Sequence, residues 1–300
     1  MAKNYLILDA GHSKVTSGKR SPDSSLMEWE FNNDMQYRLK ARAEQLGFEV
    51  YLVNPHPEKG AEVSLAQRCK LANDYWVSKG KPSNCLFTSI HANAAGNGWS
   101  TARGVEVFTA KNASAASQNA AKKICNSIYK DVYAIDKGFK NRGHKVSNFY
   151  VIKYTNPKSI LIEYEFYSNK EGVALLKNRR DLLCEATLKG ICEYFGVAYK
   201  APGDVKVPVQ ENVQKPVNNN VNVPSNGKPW KNGTYNVKVK VTASSLNVRA
   251  GRPGNAKYNT IIGVLPRNTV IKVGYCLNGW FGVIVNGKQG FISGDYVQLV

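Results

Sequence analysis

The chain has 300 residues, of which 43% are hydrophobic and 21% charged, so it is long enough for two domains and too apolar to be wholly disordered. No apolar run approaches the roughly 18 residues that cross a bilayer, so membrane insertion is not expected. The net charge of +19 favours a polyanionic partner, such as nucleic acid, an anionic membrane or an anionic wall polymer. The excess is densest in the last 70 residues, where Asp295 is the one acidic residue.

The first apolar run, residues 5–8, is too short for the core of a signal peptide. We therefore expect a protein made in the cytoplasm, which needs another factor to let it through if its substrate lies outside the membrane. None of the six cysteines is spaced as Cys-x-x-Cys, so a thiolate zinc site is not expected, and we predict reduced, buried thiols.

Residues 1–200 alternate between strand-like and helix-like patterns. Short apolar runs predict strands at 5–8, 48–53, 85–90, 105–108 and 159–162. Apolar residues at helical spacing predict helices at 28–46, from Ser64 onward, at 114–132 and at 181–195. This alternation predicts an α/β domain with a mostly parallel sheet flanked by helices.

Residues 201–230 contain five prolines and three consecutive asparagines, which predicts an extended, semi-rigid linker. Residues 231–300 show no helical pattern. Their short β-type runs predict strands at 237–241, 246–248, 269–273, 281–285 and 290–292. Asn286-Gly287 between two of these runs is typical of a hairpin, and a small all-β barrel is the expected fold.

Three residues that can bind metal follow predicted strands of the first domain. His12 comes shortly after strand 5–8, His91 directly follows strand 85–90, and Glu163 directly follows strand 159–162. In open α/β sheets, functional groups gather beyond the carboxyl ends of the strands. If these strands are parallel, the three side chains meet at one edge of the sheet.

Two histidines and a carboxylate form a catalytic zinc site that keeps one position open for water. A second carboxylate, held off the metal, can then act as general base. Glu28 and Glu30, at the start of the first predicted helix, are the candidates for the remaining ligand. Each residue also has an ordinary interpretation, because strand-end histidines often only bond to loops and helix-start glutamates favour the helix dipole.

Four stretches resemble, in order, the motifs of the zinc-dependent N-acetylmuramoyl-L-alanine amidases of autolysins and phage endolysins. They are LDAGH at 8–12, LMEWEFN at 26–32, SIHANA at 89–94 and ILIEYEFYSN at 160–169. The resemblance spans residues 4–196. It implies one zinc ion per chain held by His12, Glu28 and His91, with Glu163 as the catalytic acid and base. Glu165 stands where many members have glycine, so it competes with Glu163 or contacts substrate.

The same resemblance implies hydrolysis of the amide between N-acetylmuramic acid and L-alanine in peptidoglycan. Together with the missing signal-peptide core, it suggests a phage or prophage endolysin rather than a secreted autolysin, made in the cytoplasm of the host bacterium and acting on the wall after release. Arg142 and His144 are further candidates for substrate contact, although His144 also fits an exposed loop. One alternative is a zinc peptidase or deacetylase acting on peptidoglycan. Another is a non-catalytic protein that binds the wall or nucleic acid, although the chain shows no nucleic-acid motif.

The run SLNVRAG at residues 245–251 resembles the start of bacterial SH3-like domains, and the pairs at 279–280 and 296–297 fit their later positions. This resemblance implies that residues 231–300 tether the enzyme to the bacterial wall. Peptidoglycan, together with anionic wall polymers, is the expected partner. Tyr258, Tyr275 and Trp280 are the candidate wall-binding residues, and filling the small core is their alternative role.

Overall fold

The computed structural model describes residues 3–59, 63–201, 230, 233–252, 260–277, 279–285 and 288–300. The chain divides into two units, Met1–Val209 and Gln210–Val300. Apart from Ala201 and Trp230, the predicted linker lies outside the described residues and stays a prediction. Among the described helices, none is both long enough and apolar enough to cross a membrane.

The first unit contains one six-stranded sheet. Its strands are β1 (Tyr5–Ala10), β2 (Glu49–Leu52), β3 (Cys85–Asn93), β4 (Val105–Thr109), β5 (Asn141–Val146) and β6 (Lys158–Phe166). They lie in the order β2-β1-β3-β6-β4-β5. All neighbouring pairs are parallel except β4 with β6, so the predicted mostly parallel sheet is confirmed.

Helices cover both faces of this sheet. They are α1 (Glu28–Gln45), α2 (Leu65–Ser78), α3 (Ala115–Ile135), α4 (Tyr150–Lys153), α5 (Lys170–Asn178) and α6 (Arg180–Phe195). The main core lies between one face and α1, α3, α5 and α6, whereas α2 and α4 pack over a smaller core on the other face. Alternate residues of β1, β2, β3, β4 and β6 supply the two cores, as the two-residue period of a strand requires.

Local signals in the sequence account for the helix ends. The Ser64 side chain accepts a hydrogen bond from the Gln67 amide, as a serine at the N-cap of α2 does. Gly196 ends α6 in the left-handed conformation, with a φ of 66° that glycine adopts without steric cost. The predicted strands and helices are present, while β5, α4 and α5 were not predicted. Polar β5, with Asn141, Arg142 and Lys145, lacks the apolar run that marks a buried strand.

The second unit is an antiparallel sheet built around its own core. Its strands are β7 (Gly233–Val241), β8 (Ser245–Arg249), β9 (Ile261–Pro266), β10 (Val270–Leu277), β11 (Trp280–Val285), β12 (Lys288–Ser293) and β13 (Val297–Leu299). They lie in the order β13-β7-β10-β11-β12-β8-β9. The predicted hairpin pairing is present up to Val285 opposite Lys288. Trp230, placed by the sequence at the end of the linker, packs in this core and bonds to the Gly294 carbonyl.

Candidate active site

The parallel strands β1, β3 and β6 bring the predicted residues to one edge of the sheet. His91 and Glu163 are register partners on β3 and β6, and both point to the face covered by α2 and α4. His12 lies two residues beyond β1, which pairs with β3 up to Ala10 and Ile90. The convergence predicted from strand ends is therefore present in the fold.

His12, Glu28 and His91 place one ligand atom each within 4.8 Å of one another. His12 Nε2 lies 3.3 Å from one oxygen of Glu28, and His91 Nδ1 lies 3.0 Å from the other. Donor atoms of a tetrahedral zinc site are about 3.3 Å apart when the bonds are about 2.0–2.1 Å long. Two imidazoles and one carboxylate at these separations fit a zinc ion with a fourth position left for water or substrate.

Glu28 is 2% exposed and both of its oxygens have partners, since the Ala92 amide also donates to Oε1. Burial raises the pKa of Glu28, but hydrogen bonds with His12 and His91 outweigh this effect and lower the pKa to about 2. The carboxylate form that a metal ligand requires is therefore favoured. Glu30, the other candidate, lies on the exposed side of α1.

Gly11 is needed for the two histidines to approach each other. A Cβ atom at this position would lie 2.1 Å from Cε1 of His91, well inside van der Waals contact. The rings of His12 and His91 stand edge to face with centroids 5.0 Å apart. His12 itself has a φ of 64°, a left-handed conformation that is uncommon for a non-glycine residue and often marks a functional position.

A buried polar network fixes the loop that carries His12. Arg68, 1% exposed, donates to Asp9 at 2.8 Å and to the Ala10 carbonyl at 2.6 Å. Asn54 donates to the carbonyls of Ala10 and His12, and Ser89 donates to the second Asp9 oxygen. The sequence analysis did not predict these contacts of Arg68, Asn54 and Ser89, because they join residues far apart in the chain.

Glu163 has the opposite environment to Glu28. Its Oε2 is buried without a hydrogen-bond partner among the described residues. Desolvation, followed by the nearby charges of Glu28 and Glu106, raises its pKa well above the usual value of 4.5. A carboxyl group with a raised pKa and an oxygen without a hydrogen-bond partner is suited to accept and return a proton.

Comparisons with known proteins place these residues in a family. The model of N-acetylmuramoyl-L-alanine amidases matches residues 6–193. The chain belongs to this family. The endolysin of Bacillus phage SPP1 is 33% identical over 202 residues, covering 65% of this chain and 68% of its own length. The amidase LytC of Bacillus subtilis is 29% identical over 192 residues, covering 63% of this chain, and this chain spans only 35% of LytC.

Solved amidases share the fold of this part of the chain. The N-acetylmuramoyl-L-alanine amidase from Clostridium difficile 630 superposes with a TM-score of 0.57 at 25% identity, covering 65% of this chain and 98% of that one. The catalytic domain of the amidase CwlV from Bacillus (Paenibacillus) polymyxa gives a TM-score of 0.52 at 28% identity, covering 65% and 99%. The catalytic fold of this amidase-family chain is therefore the mixed α/β fold predicted for residues 1–200.

The prediction that Glu165 contacts substrate or competes with Glu163 does not agree with its contacts. Glu165 is fully buried and accepts hydrogen bonds from the Gly104 and Phe166 amides and from Arg103. His91 pairs with Glu163 but Asn93 pairs with Phe166, so β6 has one extra residue there. This bulge reverses the alternation of side chains and turns Glu165 away from the face of Glu163.

His144 also lies away from the site. Its Nε2 is 2.7 Å from the Thr109 hydroxyl, on the face of the sheet covered by α3. Burial, followed by the charge of Lys122 on α3, lowers its pKa. The prediction of a substrate contact at His144 is therefore corrected, because the next residue along β5, and not this one, faces the site.

Arg142 lies beside the site and is held there by Glu106, a residue that the sequence analysis did not predict. Its Nε donates to Glu106 at 2.6 Å, and Glu106 is the register partner of Glu163 across β4 and β6. Asn93 donates to the other oxygen of Glu106. Among the candidate wall-binding residues, Tyr275 and Trp280 are half-buried in the second unit, and Tyr258 lies outside the described residues. Their binding role stays a prediction.

Proposed function

We propose that the chain is a zinc-dependent peptidoglycan hydrolase that cleaves the amide between N-acetylmuramic acid and L-alanine. The observation that carries the proposal is the meeting of His12, Glu28 and His91 beside Glu163, whose Oε2 has no partner among the described residues. Family membership and the similarity to named amidases and an endolysin support this choice of substrate.

The two groups of residues have different tasks in the proposed mechanism. His12, Glu28 and His91 would hold one zinc ion. Bound there, zinc would supply activation of a water molecule and polarisation of the amide carbonyl. Glu163 accepts the proton of the attacking water as the water oxygen bonds to the carbonyl carbon. Glu163 then donates that proton to the amine of L-alanine as the carbon–nitrogen bond breaks.

The test is digestion of purified peptidoglycan by the full chain, with the products identified by mass spectrometry. Amidase activity gives new free amino termini on L-alanine without new reducing sugar ends. New termini elsewhere in the peptide, or loss of acetyl groups, would assign the site to a peptidase or a deacetylase instead. Treatment with a chelator abolishes lysis and added zinc restores it, so full activity in a metal-free sample would overturn zinc dependence.

We further propose that the basic second unit is an SH3-like domain that tethers the enzyme to the bacterial wall. Its last 70 residues carry nine basic residues and one acidic residue, which supports an electrostatic share in binding anionic wall polymers. Sedimentation of the full chain and of residues 1–200 with purified walls, at low and high salt, measures this contribution. Equal sedimentation of both proteins would contradict the proposed tether.

A further inference from the structure

Arg142 is held in a fixed orientation beside the candidate active site. Its Nε is fixed by Glu106 at 2.6 Å, and its guanidinium lies over the Phe166 ring at 4.8 Å from the centroid. These two contacts orient the plane of the guanidinium. No described residue bonds to Nη1 or Nη2, and the side chain is 34% exposed. The arginine therefore presents two parallel donors to solvent, the arrangement that binds a carboxylate with two hydrogen bonds.

Lys145 adds a second positive charge at the same place. Its Nζ lies 2.6 Å from the Glu106 oxygen that Arg142 also contacts, and its side chain is 38% exposed. Glu106 is buried and is shared by Arg142, Lys145 and Asn93. One negative charge thus anchors two positive charges, which leaves a net positive group that attracts an anion.

For the proposed reaction, the order of the strands indicates which part of the substrate reaches this group. The candidate metal ligands lie on the β1 and β3 side, Glu163 follows on β6, and Glu106 and Arg142 follow on β4 and β5. Glu163 must reach the leaving amine to protonate it, whereas the carbonyl faces the metal ligands. The peptide attached to that amine therefore leads from Glu163 toward β4 and β5, and the glycan lies on the other side.

The stem peptide offers an anion at a suitable distance. Its second residue is a D-glutamyl residue joined through the side-chain carboxyl, so its α-carboxyl is free or amidated. Residues directly opposite in an antiparallel pair have Cβ atoms about 4.5–5.5 Å apart, which applies to Glu163 and Glu106. One peptide residue spans about 3.3–3.6 Å, so the second residue of the peptide lies within reach of the guanidinium.

We propose that Arg142, anchored by Glu106 and assisted by Lys145, binds the free α-carboxylate of the second stem-peptide residue and thereby selects non-amidated peptidoglycan. The inference rests on the proposed amide hydrolysis and names the group of the substrate that the site recognises. Arg142 is a specificity-determining residue in this scheme, because it contacts the substrate away from the bond that breaks.

The experiment compares two synthetic substrates with the zinc-loaded full chain, N-acetylmuramoyl-L-alanyl-γ-D-glutamyl-L-lysine and its α-carboxamide. We expect wild type to favour the carboxylate by about tenfold in kcat/KM, mainly through KM, because a charged pair of hydrogen bonds is lost with the amide. In Arg142→Gln the preference falls to within about twofold. Arg142→Lys, which keeps the charge and loses the fork, retains an intermediate preference.

Lys130→Gln is the matched control, because Lys130 is an exposed cation on α3, on the opposite face of the sheet. It keeps the full preference, and thermal unfolding confirms that each variant is folded. No preference in wild type, or an equal loss on both substrates in Arg142→Gln, overturns the inference and leaves Arg142 a structural role through Glu106.

A binding measurement separates this inference from the proposed function. Calorimetric titration of Glu163→Gln with L-alanyl-γ-D-glutamyl-L-lysine and with its α-carboxamide requires no turnover. Tighter binding of the acid, lost when Arg142→Gln is added, supports carboxylate recognition even if wild type cleaves another bond. Equal binding of the two peptides contradicts it even if wild type cleaves the proposed amide.

Discussion

Two neighbouring carboxyl groups at one edge of the sheet have opposite surroundings. Glu28, on the side of β1 and β3, has two histidine partners and a backbone amide, and its pKa is lowered to about 2. Glu163, on the side of β6, has a buried oxygen without a partner among the described residues, and its pKa is raised by burial and by nearby carboxylates. Residue type alone therefore does not set the task of a glutamate, and its environment does.

The contacts around the candidate metal ligands also differ from those around Glu163. The loop that carries His12 is fixed by the buried pair of Arg68 and Asp9 and by Asn54, and its Gly11 packs closely against His91. Contacts of this kind hold the side chains that would bind a metal in the orientation that binding requires. A group that carries a proton needs an oxygen without a hydrogen-bond partner. Such an oxygen lowers the stability of the folded protein, a cost that functional sites often carry.

The sharpest test of this comparison separates ligand from proton carrier. We expect His12→Ala and His91→Ala to lose bound zinc together with activity. Glu163→Gln keeps one zinc per chain, while turnover falls by about 10²–10⁴-fold, because a general base contributes to rate and not to coordination. Metal analysis and kinetics on peptidoglycan measure both effects. His56→Ala, at an exposed histidine paired with Glu58, is the control that retains both. An empty Glu163→Gln beside a loaded Glu28→Gln would reverse the two assignments.

The buried ion pair of Arg68 and Asp9, next to the His12 loop, is expected to contribute strongly to the free energy of unfolding. Arg68→Leu leaves the Asp9 carboxylate buried without its cation, which lowers the free energy of unfolding by about 3–5 kcal/mol. Urea unfolding measures the change. Lys70→Ala, which breaks the exposed pair of Lys70 with Asp74 on the same helix, changes it by less than about 1 kcal/mol. Similar effects of the two substitutions would show that Arg68 is not a structural brace.

Gly11→Ala tests whether the close approach of the histidine loop to β3 matters. The new Cβ would overlap the His91 ring, whose Cε1 lies 2.1 Å from its position. Displacing this ligand should weaken zinc affinity by about 10–100-fold. A competition titration with a zinc indicator measures the affinity. Gly98→Ala is the matched control, because nothing lies within 4 Å of its Cβ position. Unchanged affinity in Gly11→Ala would mean that the loop adjusts freely.

The smallest effect concerns the energetic cost of Glu163. The pKa of Glu163 in the folded state lies above the usual 4.5. Its contribution to the free energy of unfolding is therefore fully present below pH 4.5 and is lost as the pH rises through the raised folded-state pKa. With a chelator present, Glu163→Gln should be more stable than wild type at pH 7, by about 1–3 kcal/mol, because it removes a buried unpaired carboxylate. The difference should vanish near pH 4. Denaturant unfolding at both pH values measures it, and equal stability at pH 7 would contradict the unpartnered environment.

Local pattern was sufficient for most of the catalytic domain. Apolar runs and helical spacing predicted β1, β3 and β6 and the helices α1, α2, α3 and α6, because each buries a face whose period is visible in the chain. The positions of these residues at strand ends predicted the meeting of His12, His91 and Glu163 independently of any resemblance. Strand β5 was missed because its polar residues, Arg142 and Lys145 among them, lie at the edge of the sheet and carry no apolar period.

The sequence by itself determined the division into an α/β part and a β part and the placement of the two histidines and Glu163. Through the family motifs it predicted Glu28 and Glu163 as the glutamates of the site. Only the tertiary structure decided which side chains share a face. The bulge in β6 turned Glu165 into the interior, and the pairing of β5 with β4 placed Arg142 beside Glu106 and His144 on the opposite face. Such facts depend on register and on contacts between distant segments, and a one-residue shift in register reverses them.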